Sequence, residues 1–593
     1  MAAGLLNYWN SLSIPFVWDD ESAIVTNETI RQLWPLSIPL SPPHDTPMAG
    51  RPLVNLSIGL NYAFGGLKPS GYHAWNVGVH VLCALLLFGI VRRSLATSAL
   101  TGPPFGVPAE STALLAALLW MLHPLTSEAV DYVSQRTESM MGLFFLLTLY
   151  AAIRSGSSSS AWRWEAVAWL ACGCGMASKE SMVAAPLVVL LYERALRFGS
   201  FGEALRARTR LFAGLALTWF VLAWLMWQGS RSTVGFSTVS PRTYLLNQLQ
   251  MIVAYLRLSV WPRSLVLDYG VPKALALQNV LPEAVLVSAL LTAALLVIMR
   301  WPRVGWLAAV AVLTLAPTSS VVPIATEVGA ERRMYVPLMA LSVLAVVGGR
   351  LLLDRIVARD RGSSRRIVLA ATVGAGCALV ALGVRTFYRN KEFQDPVALW
   401  RTVVDRRPSG RAHLGLGMAL IAAGQRSDGV AELRTAAGDY GEARGILGVE
   451  LFADGRTDEA IAQLGLYVAD RPLDPSRIPA HLLRGEALRS AGRLNEAVAE
   501  FRTVLQQAPH HLPAREDLGD ALSSLGRVGR RSSSIRRWFR RWTTIAWRSS
   551  WGTRSPAVNG ITSTIVLSSL YAGMMTDSLA RATVIAMIVQ TIG

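Results

Sequence analysis

The sequence predicts an all-α protein in two parts: a polytopic transmembrane helical bundle, then a water-soluble α-solenoid of helical repeats. Of its 593 residues 52% are hydrophobic and 16% charged, where a soluble globular chain carries about 25% charged residues. The apolar excess is gathered into blocks near the length that crosses about 30 Å of hydrocarbon. From Arg411 onward the blocks give way to glycine, alanine and large apolar residues that recur at a repeat period.

Taken in order, the apolar blocks cover residues 73–93, 111–128, 139–154, 163–177, 181–194, 211–228, 281–299, 304–321, 335–353 and 367–385, which predicts ten crossings. Arginines cluster beside them at Arg92-Arg93, Arg206 to Arg210, Arg300 to Arg303 and Arg355 to Arg366. The positive-inside rule makes these clusters cytoplasmic anchors. Loops 1–72, 129–138, 178–181, 229–280 and 322–334 then face outward, and the chain returns to the outside after Tyr388. A further apolar stretch at 244–261 would break this alternation as a span, so an interfacial helix is expected there. Met1 to Leu12 is too short and polar to cross. The alternation therefore requires a span before Asn7 and implies an internal or incorrect start.

The net charge of +18 by itself suggests nucleic acid. The arginines sit beside apolar blocks, however, and no basic-aromatic pattern accompanies them, so no nucleic-acid partner is expected. Cys83, Cys172, Cys174 and Cys377 all lie inside apolar blocks and read as small hydrophobes. Their spacing offers neither a disulfide nor a metal motif.

The repeat region carries phase glycines Gly417, Gly448, Gly485 and Gly519, spaced 31, 37 and 34 residues apart. Gly455, Ala460 and Pro472, then Gly492, Ala497, Phe501 and Pro509, fall at matching phases, and the small residues permit close helix packing. These look like tetratricopeptide repeats. The fourth stops after its first helix at Gly526, and an Arg-Ser-Trp-rich tail follows, which reads as a shifted frame in place of a second repeat helix. The expected organisation is an extracytoplasmic loop over 1–72, a membrane domain over 73–388, a linker over 389–410, repeats over 411–526 and a basic tail over 527–593, with a weak apolar stretch at 561–593.

Chemistry is sought where acids and bases meet a membrane face. Phe16-Val17-Trp18-Asp19-Asp20-Glu21 places three consecutive acids among apolar residues. A solvated turn explains them as well as a general base tuned near the headgroups does. His123-Pro124 with Glu128, Arg136, Lys179-Glu180, and Glu331-Arg332-Arg333-Met334-Tyr335 lie at span ends on the same outward side. Headgroup anchoring or a local ion pair accounts for each alone, and the shared face favours function. The spans are read as carrying no acid or base at mid-depth, which argues against a transporter.

In order along the chain, Phe16-Val17-Trp18-Asp19-Asp20 with Asn27, Gly50-Arg51-Pro52-Leu53 with Asn61-Tyr62, Gly71-Tyr72-His73 with Asn76 and His80, His123-Pro124 with Glu128, Lys179-Glu180, and Glu331-Arg332-Arg333-Met334-Tyr335-Val336-Pro337 resemble the transmembrane and tetratricopeptide-repeat O-mannosyltransferases. The resemblance covers roughly residues 7–526. It implies a membrane glycosyltransferase of the GT-C fold, with about eleven spans, that moves a sugar, typically mannose, from a polyprenyl-phosphate carrier to Ser or Thr with inversion. The acceptor hydroxyl needs a base, for which Asp19 is the candidate with Asp20 orienting it, and Glu21, His123 and Glu128 in support. The phosphate leaving group needs positive charge, for which Arg136, Lys179, Arg332 and Arg333 are candidates, with Tyr335 beside the carrier. The donor lipid and an acceptor protein held in the repeat groove are the expected partners; no further cofactor and no metal-binding residues are predicted, and a divalent-metal requirement stays open. Composition suggests a GC-rich bacterial genome and hence the cytoplasmic membrane, with undecaprenyl phosphate as carrier. A repeat-bearing membrane scaffold without activity, and a ligase or polymerase of lipid-linked glycans, are the competing readings.

Overall fold

The computed structural model describes residues 1–526 except 45, 102–106, 229–238, 321, 360–363 and 470–473. The basic tail 527–593 and its apolar stretch 561–593 lie outside the described residues. The chain divides into two compact units, Met1–Asp395 and a second beginning at Pro396. Among the described residues the regular elements are all helical, with no β-strand.

The principal helices of the first unit are α1 (Pro52–Gly65), α2 (Pro69–Leu95), α3 (Ala109–Met121), α4 (Ser127–Asp131), α5 (Arg136–Ser155), α6 (Ala161–Met176), α7 (Ala185–Leu196), α8 (Thr209–Gln228), α9 (Pro241–Val260), α10 (Leu281–Arg300), α11 (Pro302–Leu315), α12 (Pro337–Arg359) and α13 (Ser364–Gln394). Each of the ten apolar blocks falls on one of them. Among the described residues α2, α8, α10 and α13 are long and apolar enough to cross a membrane alone. Helix α3 and the segment Pro124–Asp131 add a fifth as one broken span, bent by 56°. The chain is therefore a multi-pass membrane protein. The other five blocks form helices outside that set, and α6, α7 and α11 fall short of the roughly 20 residues a span requires.

Local chemistry explains the ends and bends. Proline opens α1, α2, α9 and α11, where its missing N–H costs no helical bond. Helix α2 closes on Arg92 and Arg93, whose charge suits the negative end of the helix dipole. At the bend after α3 the His123 Nδ1 accepts from the Leu125 N–H at 3.1 Å, so His123 caps the short turn that Pro124 begins.

The segment 1–72, expected as a loop, contains α1. It is seated on a core of Ile24, Ile30, Val54, Ile58, Tyr72 and Val133. Its first residues are fastened to α13, where Asn390 Nδ2 donates to Asn7 O at 3.1 Å and to Asn10 Oδ1 at 3.0 Å, and Asn10 Nδ2 donates to Phe387 O at 3.0 Å. The expected linker 389–410 is helical over most of its length: it completes α13 and then forms α14 (Pro396–Arg406), whose Leu399, Trp400 and Val403 are buried.

The second unit continues with α15 (Gly410–Ala422), α16 (Arg426–Asp439), α17 (Glu442–Ala453), α18 (Thr457–Ala469), α19 (Ile478–Ser490), α20 (Leu494–Gln507) and α21 (Leu512–Ser524). They pack as successive hairpins of tetratricopeptide type. Three hairpin turns have the same closure: a left-handed glycine, Gly424, Gly455 or Gly492, with φ between 76° and 80°. The next residue's N–H then returns to the carbonyl of Leu420, Leu451 or Leu488 at 2.9 Å.

Inside each hairpin a phase glycine meets a large side chain. A methyl group at Gly485 would lie 2.5 Å from the Phe501 ring. Gly485→Ala is expected to destabilise the protein by about 1–3 kcal/mol through overpacking. Gly438→Ala, where an added methyl meets nothing within 4 Å, should not. Thermal unfolding of the two purified variants checks the contrast.

Candidate active site

The acidic motif forms a turn closed by its own carboxylate. The Asp20 N–H donates to Val17 O at 2.9 Å, and Asp20 Oδ2 accepts from the Val17 N–H at 3.0 Å. Asp20 Oδ1 accepts from the Ser134 N–H at 2.6 Å, which fixes the turn against the start of α5. Trp18 between them adopts φ 46°, a left-handed conformation that costs a bulky residue about 1–3 kcal/mol. Asp20 is fully buried. Burial pushes its carboxyl up to about 7, against the backbone N–H bonds that pull it down, and the neighbouring Asp19 adds to the rise. Glu21 is pushed up to about 7 by burial alone.

Asp19 is half-buried, beside its fully buried neighbour. Its backbone N–H donates to the Tyr132 hydroxyl at 2.8 Å. Tyr132 is held neutral by burial and by the charges of Asp19 and Asp20, with Arg332 opposing. This phenol therefore lies within electrostatic reach of both the acidic turn and Arg332.

Arg332 is nearly buried and is gripped by two carboxylates. Its backbone N–H donates to Glu128 Oε2 at 2.8 Å, its Nη1 pairs with Glu128 Oε1, and its Nη2 pairs with Glu327. The adjacent Glu331 turns elsewhere. Its Oε1 accepts from the Val266 N–H at 2.5 Å and the Tyr269 hydroxyl at 3.2 Å, and its Oε2 faces Arg389 at 3.5 Å. Burial pushes Glu331 up to about 7, with Arg389 opposing and Glu128 adding to the rise.

Lys179 pairs with Glu138, and both side chains are buried. Burial makes its ammonium surrender a proton more readily than usual. Glu138 opposes this, and Arg51 and Arg332 reinforce it. Arg51 in turn donates to Glu180 Oε2 at 3.0 Å. Arg51 and Arg332 are thus close enough to Lys179 to act on it electrostatically, and each of the three cations is paired with a carboxylate of its own. Among the described residues no cluster of three or more His, Cys, Asp or Glu side chains is arranged to hold a metal ion.

The structure joins Asp19 to Tyr132 and Glu128 to Arg332, with Asp20 and Arg332 close enough to act on Tyr132, and Arg332 on Lys179, electrostatically. It turns the remaining candidates to other partners. Arg333 clamps the 318–328 loop, donating to Thr318 O at 3.0 Å, Val328 O at 3.3 Å and Glu327 Oε1 at 2.8 Å. His123 Nε2 lies 3.2 Å from Ser259 O. Arg136 is buried, donating to Asn76 Oδ1 at 2.7 Å, Ser57 Oγ at 3.2 Å and Tyr72 O at 3.0 Å. Tyr335 is in the aromatic core, its hydroxyl 2.9 Å from His80 Nδ1 and its ring against Trp120. His80 corrects the reading of spans without central bases: it sits within α2, fully buried, with Nε2 3.0 Å from Met121 O. Tyr132 was missed by sequence reasoning, and Arg51 was noted only as part of a motif.

No family model matches the chain. Curated relatives align with part of it. The Xenopus laevis "Protein O-mannosyl-transferase tmtc2" is 32% identical over 207 residues, 32% of this chain and 23% of that protein. The human "Protein O-mannosyl-transferase TMTC3" is 30% identical over 27% of this chain and 17% of its own length, and Drosophila melanogaster Tmtc1 is 26% identical over 45% and 33%. The chain therefore aligns with about a quarter of the length of the first of these. Among solved structures, ArnT from Cupriavidus metallidurans bound to undecaprenyl phosphate aligns at 16% identity over 81% of this chain and 79% of its own, with a TM-score of 0.37.

Two outcomes follow from the buried charges. Asp20 has a folded value near 7 against an ordinary 3.8, so its protonated form is favoured by folding. Its contribution to stability is full below about pH 4 and is lost as pH rises through about 7. The melting temperature of the wild type should fall more steeply between pH 5 and 8 than that of Asp20→Asn. Arg332→Ala strands Glu128 without its partner and should cost about 3–5 kcal/mol, and Glu128→Gln in the same chain should restore part of it, read by thermal unfolding at one pH.

Proposed function

We propose that the chain is a membrane glycosyltransferase that moves a sugar, mannose by analogy with the relatives' names, from a polyprenyl-phosphate carrier to Ser or Thr of proteins on the extracytoplasmic side. The observation that carries this reading is the acidic turn of Asp19 and Asp20 and the basic group of Arg332, Lys179 and Arg51, with Tyr132 in reach of both acids and of Arg332. A transfer from a phosphate ester needs these two chemistries side by side. The acceptor hydroxyl attacks the anomeric carbon as its proton passes to the Asp19 carboxylate. The bond from that carbon to the phosphate oxygen breaks, and the departing phosphate takes its electron pair to the cations.

Asp20 acts through position. Its two backbone bonds hold the Val17–Asp20 turn and so fix where Asp19 stands. Arg332 is held from behind by Glu128 and Glu327, which limits the rearrangement it must make when a phosphate arrives. The arginine clusters beside the apolar blocks favour an extracytoplasmic repeat unit that presents acceptor protein, and the Ala-, Gly- and Arg-rich composition favours a cytoplasmic membrane as the site of action.

Membranes containing the chain, with equal insertion of each variant verified, are to be assayed for transfer of labelled mannose from polyprenyl-phosphate-mannose to protein. Asp19→Ala is expected to lower transfer by about 10²- to 10⁴-fold, the usual range for a lost general base. Undiminished transfer by a well-inserted Asp19→Ala protein would overturn the assignment of the base. Transfer by neither protein would overturn the proposed reaction for this chain.

A further inference from the structure

The arginine proposed to receive the donor phosphate is already neutralised. Its guanidinium pairs with both Glu128 and Glu327. Glu327 also pairs with Arg333, Oε1 to Nη2 at 2.8 Å, while its Oε2 is the atom on Arg332. One carboxylate therefore bridges two guanidiniums with one oxygen on each, the arrangement in which two oxygens of a phosphate would lie between them. Arg332 and Arg333 bring two positive charges, and Glu128 and Glu327 bring two negative ones. A lipid phosphate meets no net charge from these four side chains, and it reaches Arg332 by taking the place of a carboxylate.

Burial and tethering decide which carboxylate gives way. The Glu128 side chain is fully buried and holds the Arg332 backbone N–H at 2.8 Å as well as the guanidinium. Detaching it would strand a charge away from water. The Glu327 side chain is 16% exposed and that of Arg332 13%, so the partner of Arg332 that reaches solvent is Glu327. Its backbone is fixed independently of its carboxylate. Glu327 O accepts from Arg333 Nη2 at 3.2 Å, and the next carbonyl, Val328 O, accepts from Arg333 Nη1 at 3.3 Å and from Gln248 Nε2 at 2.7 Å. Rotation of the Glu327 side chain thus frees Arg332 without undoing the turn.

We infer that Glu327 is a specificity-determining residue of the donor site: its carboxylate holds the place of the carrier phosphate on Arg332 and Arg333, and the carrier binds by displacing it. An anion enters only if its own two-oxygen contact outcompetes the resident carboxylate. A headgroup without an anionic oxygen leaves the bridge closed. This inference rests on the reading of Arg332 as the donor's cation.

The test is a binding titration of the purified full chain in detergent with polyprenyl phosphate. Glu327→Gln removes the competing charge and nearly keeps the shape, so it should bind about fivefold or more tightly than wild type, the lower end of a coupling between two ligands. A purely structural role for Glu327 predicts the opposite sign. Glu327→Asp keeps the charge but shortens the reach across the two arginines, and it should show a smaller gain, so the test stands if Glu327→Gln does not fold. Glu180→Gln removes an equal charge from the neighbouring Arg51 and should change the affinity less. Unchanged or weaker binding by the folded Glu327 variants, or an equal gain in Glu180→Gln, would overturn the proposal alone. Binding by neither wild type nor variants would overturn the reading of Arg332 as the donor's cation, and this proposal with it.

Discussion

The buried pair of Glu128 and Arg332 is the constraint on which the polar end of the membrane unit depends. The two residues are 204 positions apart, and the pair ties the broken span to the segment before α12. Taking both charges out of water is expensive, and the attraction repays it only with good geometry and full hydrogen bonding. Here one carboxylate receives both the guanidinium and the backbone N–H of the same arginine. The gain is therefore positional. Tyr132, one turn beyond Glu128, is set where its hydroxyl receives the Asp19 N–H, and the acidic turn is located in its turn.

The two ends of the helical bundle differ in how their interiors are filled. Toward the acidic turn the interior is polar and its groups are bonded to one another: Arg136 on Asn76 and Ser57, Asn27 on Asn55, Glu331 on Tyr269 and Val266. Such networks are rigid because each unsatisfied group would be costly. Toward the basic ends ion pairs on buried carboxylates, Glu193 with Arg197 and Arg208 and Glu165 with Arg210, stand beside an apolar cavity of about 130 Å³.

Much of the fold was legible because apolar blocks and phase glycines are local signals. The ten blocks all fell on helices, and the turn glycines recur where the repeat period put them. Helix α1 was not legible, since Asn55, Ser57, Gly59 and Asn61 interrupt its apolar pattern. The linker at 389–410 contains the boundary between the two units, but its helical character was not legible because polar residues there serve buried contacts, Asn390 on Asn7 among them. The site was legible as a set of residue types and illegible as a set of partners. Arg332 and Arg333 are neighbours in the chain, yet one meets Glu128 and the other clamps a loop, because adjacent side chains in a tight turn point in different directions. Tyr132 and Arg51 gave no signal by themselves, their partners lying 113 and 129 residues away.

The glycine contacts inside the repeat hairpins set terms for how this unit can change. Gly485 faces Phe501 and Gly448 faces Leu464, each without room for a methyl group, while Gly417 faces the Gly429 backbone carbonyl as well as Leu433. A larger residue on the first helix is accommodated only if its opposite number shrinks. The hairpins of Gly448 and Gly485 thus carry a two-residue lock, and divergence at these sites must proceed by coupled exchange within a hairpin, while the exposed faces are free to vary one residue at a time.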